Sequence, residues 1–163
     1  MSGNYKIDVI METKKACPDI RILKGVAEKT LESEGIKNSV SLNLLFVDNK
    51  QMRDLNRKFL NRNEPTDVIS FGAKKGRGIK KSLKGFTPLD SKHLTGFIGE
   101  VAVSAQMAEY NARRFGATFK EEIFLYIIHG ILHLLGYDDG AKKDRRGMEE
   151  RQNKILGAVC GSL

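Results

Sequence analysis

Apolar and polar residues alternate from Tyr5 to Met11, the two-residue period of a half-buried strand. The period then lengthens. Ile20, Ile22, Leu23, Val26, Ala27, Thr30 and Leu31 recur at helical spacing up to Gly35, with Pro18 suited to the first turn. Val40–Val47 is nearly continuous in apolar residues and predicts a second strand. Asp48 is a good N-cap for a short helix through Met52, Leu55 and Phe59. After Pro65-Thr66 a third strand follows at Asp67–Phe71, and Gly96–Ser104 predicts a fourth, with a helix over Ala105–Phe115. Thr118 and Glu121 form a capping box that opens a helix apolar on nearly every side, from Ile123 to Leu135, which therefore belongs in the core. A last helix spans about Asp144 to Val159. Neither a repeat nor a linker divides the chain, so the pattern predicts one α/β domain over residues 1–163, with about four strands around a buried central helix.

One stretch breaks the pattern. Gly72 to Thr95 holds Lys74, Lys75, Arg77, Lys80, Lys81 and Lys84 among several glycines and reads as a long, mobile basic loop. With 28 basic against 20 acidic residues the net charge is +8, which points to a polyanionic partner such as nucleic acid. Aromatic residues do not interleave with the basic run, so backbone and shape are more plausible targets than base stacking. The longest apolar run is too short to span a bilayer and residues 1–17 carry charges where a signal peptide would be apolar, so a cytoplasmic protein without a membrane partner is expected. Cys17 and Cys160 lie far apart without metal-motif spacing, and free thiols are expected.

The candidate chemistry sits in His129-Gly130-Ile131-Leu132-His133-Leu134-Leu135-Gly136-Tyr137-Asp138-Asp139. Two of the chain's three histidines stand four apart, so a helix presents both imidazoles on one face, one turn apart. Gly136 suits a helix stop, after which a reversing chain can return a carboxylate as a third ligand. Three protein ligands and an open position are the needs of a catalytic zinc-type ion, which lowers the pKa of water from 15.7 toward about 7 and favours hydrolysis. In metallopeptidases with this spacing a Glu directly follows the first His as general base; here Gly130 takes that place, which argues against a peptidase and suggests open space beside the ion for a bulky phosphodiester.

The same stretch resembles the signature H-G-x-L-H-L-x-G-Y-D-H of the YbeY-type rRNA maturation factors, bacterial metal-dependent endoribonucleases, at every fixed position but the last. Upstream, Leu55-Asn56, Pro65-Thr66-Asp67-Val68-Ile69-Ser70-Phe71 and Gly99-Glu100-Val101-Ala102-Val103-Ser104 resemble further family segments in the same order, so the likeness covers roughly residues 38–157. It implies a mixed sheet packed with helices, an α+β arrangement, with a zinc ion and action on 16S rRNA 3′-end maturation and ribosome quality control, ribosomal RNA and the small subunit being the partners. On this resemblance His129, His133 and Asp139 are the metal ligands, Asp139 standing where the family has its third histidine. Oxygen is an acceptable zinc ligand, and a two-histidine, one-carboxylate set also accepts other divalent metals such as Fe(II). His93 is the alternative third ligand. Asp138 is a candidate for supporting a histidine or for general base, with support favoured.

A second departure concerns RNA. Leu60 stands where the family usually has an arginine, leaving Arg57 and Arg62, together with Lys74, Lys75, Arg77, Lys80 and Lys81, as candidate phosphate contacts. An endoribonuclease is the leading reading. A ribosome-associated RNA-binding factor with a structural metal and weak activity is the alternative, and a metallopeptidase is third.

Overall fold

The computed structural model describes residues 3–73, 79–80 and 94–162. Its elements run β1 (Tyr5–Met11), α1 (Ile20–Ser33), β2 (Val40–Val47), α2 (Asn49–Leu60), β3 (Val68–Ala73), β4 (Ile79–Lys80), β5 (Gly96–Ser104), α3 (Ala105–Phe115), α4 (Phe119–Leu134) and α5 (Lys142–Ser162). The sheet order is β1-β2-β5-β3-β4. β1 pairs parallel with β2 and β2 with β5, while β3 runs antiparallel to both β5 and β4, so the sheet is mixed as expected.

The strand periods explain how both faces are covered. On β2 and β5, Leu42, Leu44, Phe46, Val101 and Val103 point into the larger core with residues of α1, α4 and α5. Their neighbours Val47 and Ala102 point the other way and join Ile69 and Phe71 of β3 under Met52, Leu55 and Leu60 of α2. α4 is the centre of the larger layer. It contacts α1, α3, α5, β3 and β5, which is why its sequence is apolar on almost every side.

Local chemistry sets the boundaries. Asp19, rather than Pro18, opens α1: its side chain accepts from Arg21 N–H, so the proline stands just outside the helix. Asp48 with Gln51 and Thr118 with Glu121 close complete capping boxes on α2 and α4. Cys17 and Cys160 are free thiols.

The expected basic loop needs correction at its start. β3 continues through Gly72 and Ala73, whose partners on β4 are Lys80 and Ile79, because an antiparallel neighbour satisfies backbone groups that would otherwise be a bare edge. Lys74, Lys75, Arg77, Lys81, Lys84 and His93 lie outside the described residues, and of Lys80 only the backbone is described. Among the described residues no helix is long and apolar enough to cross a membrane.

Candidate metal centre

The end of α4 builds the site. Leu135 caps the helix, and Gly136 follows at φ 100°, a left-handed conformation that glycine adopts without strain. Gly136 N–H donates to His133 O at 3.1 Å and Tyr137 N–H to Leu132 O at 3.0 Å, the paired bonds of a Schellman stop. The stop turns the chain back over the last turn of the helix. Tyr137 O thereby accepts from His133 Nδ1 at 2.9 Å, and two residues later the Asp139 carboxylate reaches both imidazoles.

His129 Nε2 and His133 Nε2 are 3.1 Å apart. Asp139 Oδ2 lies 3.5 Å from His133 Nε2 and 3.7 Å from His129 Nε2. All three atoms fall within 4.8 Å of one another, an arrangement compatible with a metal site. Ligands about 2.0–2.1 Å from a tetrahedral zinc stand roughly 3.3 Å from each other, close to these spacings.

The outer nitrogens decide what the inner ones can do. His129 Nδ1 donates to Gln152 Oε1 at 2.7 Å and His133 Nδ1 to the Tyr137 carbonyl. Both partners are acceptors, so each neutral ring carries its proton on Nδ1 and leaves a bare lone pair on Nε2. Two bare lone pairs facing each other beside a carboxylate repel unless a cation lies between them. Burial first, and then the facing His129 ring, hold the His133 imidazole below its usual pKa range, against the opposing pull of Asp139, the Tyr137 carbonyl and Asp138. Protonation is thus a poor substitute for a metal at that ring. The histidine side chains are 27% exposed and that of Asp139 is 44% exposed, so solvent has access to the shared face.

Gln152 and the Tyr137 carbonyl went unnoticed in the sequence. A backbone carbonyl has no sequence signature. Gln152 did leave one trace: it lies four residues after Met148 and three before Ile155, both buried, so it is a polar residue on the inner stripe of α5.

Gly130 is corrected. It opens no space beside the two imidazoles, because it faces the sheet: a Cβ built there would lie 2.3 Å from Val101 Cγ1. Its carbonyl accepts from Ser70 Oγ at 2.7 Å. Position 130 is about 100° around the helix from His129, so the histidines look outward while the glycine lets α4 settle onto β5. A glutamate base at that position has no room, which removes the peptidase geometry.

The remaining candidates are dispersed. Asp138 is exposed, and its Oδ1 accepts from Gly140 N–H at 3.1 Å in the turn after the site. Asp67 accepts from Val68 N–H at 2.8 Å, a turn role at the mouth of β3. Arg57 pairs with Asp54 at 3.0 Å on the outer side of α2, and Arg62 is exposed just beyond that helix. Leu60 packs into the smaller core. Among the described residues no hydrogen bond or ion pair joins Arg57 or Arg62 to the histidines.

Two imidazoles of a helix packed on a mixed sheet and a carboxylate from the turn after it, converging on a solvent-accessible point, are compatible with the donor set of a mononuclear metal hydrolase. The family model for Endoribonuclease YbeY matches residues 9–159. Proteins named Endoribonuclease YbeY from Bacillus mycoides and Bacillus cytotoxicus are 33% and 30% identical, each over 93% of this chain and 94% of the relative. A solution structure of TM1509 from Thermotoga maritima superimposes with a TM-score of 0.61 at 30% identity, covering 95% of this chain and 89% of that one. The chain belongs to the endoribonuclease YbeY family.

Proposed function

We propose that the protein is a metal-dependent endoribonuclease that cleaves ribosomal RNA in the cytoplasm, serving 16S 3′-end maturation and small-subunit quality control. The observation that carries this reading is the pair of bare Nε2 atoms 3.1 Å apart beside the Asp139 carboxylate. His129, His133 and Asp139 would hold one divalent ion, zinc in the first instance. Such an ion supplies Lewis acidity, polarising a phosphoryl oxygen and making water more acidic. The chain's own residues do the rest. Gln152 and the Tyr137 carbonyl keep both Nδ1 protons in place and so keep both Nε2 atoms available as ligands. Asp138 adds negative charge beside His133, which favours a cationic occupant. Arg57, Arg62, Lys74, Lys75, Arg77, Lys80 and Lys81 are the proposed phosphate contacts, each of which makes RNA affinity fall as salt rises.

The test is cleavage of small-subunit rRNA by purified protein loaded with zinc, manganese or another divalent metal, with His133→Ala alongside. Internal cuts that vanish in the variant are expected. Intact rRNA with every metal would overturn the nuclease and leave the second reading, a ribosome-associated factor with a structural ion. One observation favours that second reading: Leu60, where the family usually has an arginine, is half-buried at the end of α2 and packs against the smaller core.

A further inference from the structure

Glu34 caps the C-terminal end of α1, its N–H donating to Thr30 O at 3.1 Å. Its side chain is only 9% exposed, and Arg151 Nε approaches both carboxylate oxygens, at 3.2 and 3.3 Å, across 117 positions of sequence. The same guanidinium donates to the Ser33 carbonyl, so it grips the end of α1 at two points. The Tyr137 phenol lies within electrostatic reach of the Glu34 carboxylate and the Arg151 guanidinium.

The partners of this carboxylate adjoin the supports of the metal centre. Arg151 immediately precedes Gln152, the acceptor for His129 Nδ1. Tyr137 supplies the carbonyl for His133 Nδ1 and stands two residues before Asp139. An enclosed ion pair adds little net stability, because desolvation offsets the attraction. What a planar guanidinium held at once by a carboxylate through Nε and by a carbonyl through Nη2 does supply is direction. Here it sets the rotation of α5 about its axis, and thereby the height of Gln152 against His129. The Tyr137 ring, beside the same carboxylate, belongs to the turn that delivers Asp139.

We propose that Glu34 is a positioning residue of the metal centre, fixing through Arg151 and Tyr137 the supports of both imidazoles. The proposal rests on His129, His133 and Asp139 being metal ligands. Removing a direct support of a ligating histidine typically weakens metal binding by about 10–100-fold. Glu34 acts one contact further out, so Glu34→Gln should fall near the lower end, about tenfold.

The experiment is titration of metal-free full-length protein with Co2+, following its visible absorption, for wild type, Glu34→Gln and Tyr137→Phe, with the thermal midpoint of each metal-free form. The expected result is weaker Co2+ binding and a shifted absorption band in Glu34→Gln, with a smaller effect in Tyr137→Phe, which keeps the carbonyl. A purely structural Glu34 would lower the metal-free midpoint while leaving affinity and band unchanged, and that result would overturn the proposal. Should Glu34→Gln not fold, unchanged binding in Tyr137→Phe overturns it instead. Wild-type protein that takes up no Co2+ overturns the metal reading itself and this proposal with it.

Discussion

The two halves of α4 carry polar groups on the same face and treat them in opposite ways. In the N-terminal half, Tyr126 is 3% exposed and its hydroxyl accepts from Asn111 Nδ2 at 2.6 Å. Glu122, 8% exposed, lies one helical turn before Tyr126 and within its electrostatic reach. Burial pushes both the Glu122 carboxyl and the Tyr126 phenol up, and the nearby Asp67 charge adds to each. In the C-terminal half, His129 and His133 have every outer nitrogen paired and both inner nitrogens bare. Polar groups that complete one another hold a core together. Groups that pair all but one convergent set of lone pairs are complementary to a cation.

The most severe way to break the contrast is to remove a convergent ligand. Asp139→Ala should lose most of about one equivalent of bound metal by elemental analysis; retention of metal would send the search for the third ligand to His93. Next comes the support. Gln152→Leu, which leaves His129 Nδ1 without its acceptor, should weaken metal binding by about 10–100-fold in a chelator competition while keeping the stoichiometry. The other half of the helix should respond in stability alone. Tyr126→Phe removes the acceptor of a half-buried Asn111 donor and should cost about 1 kcal/mol in urea unfolding, with metal affinity unchanged.

The smallest effect concerns pH. Because the Glu122 carboxyl is raised in the folded state, folded protein binds more protons than unfolded protein between the ordinary glutamate pKa and the raised one. Stability contributed by this group is therefore full below the ordinary value and is lost as pH rises through the raised one. Glu122→Gln, which keeps an acceptor for Tyr126 without the charge, should raise the thermal midpoint at pH 8, by about 2–4 °C for each kcal/mol recovered, and the gain should disappear near pH 4. A gain that grows toward acid pH would contradict this account.

Much of this was legible in the residues. β1, β2, β5 and α3 follow from the apolar pattern alone, with the bounds expected for them. The buried helix was plain from its lack of a polar face. The convergence of His129 and His133 was visible because spacing on a helix fixes which side chains share a face. Spacing does not say what the next face touches, which is why Gly130 looked like room beside an ion rather than a contact with Val101. β4 was hidden because two residues are too few to carry a period. Glu34 and Arg151 were hidden for another reason: nothing local announces a pair separated by 117 positions.

The Schellman stop at Gly136 has a consequence for how this stretch can change. The bonds that end the helix, the carbonyl that steadies His133 and the carboxylate of Asp139 all occur within the eight residues from Leu132 to Asp139. Chain length is therefore fixed there as strictly as residue identity. A single residue added or deleted between Leu135 and Asp138 would leave the composition almost untouched, yet the reversal would carry Asp139 away from both imidazoles. Along this segment the chain tolerates a change of letter better than a change of count.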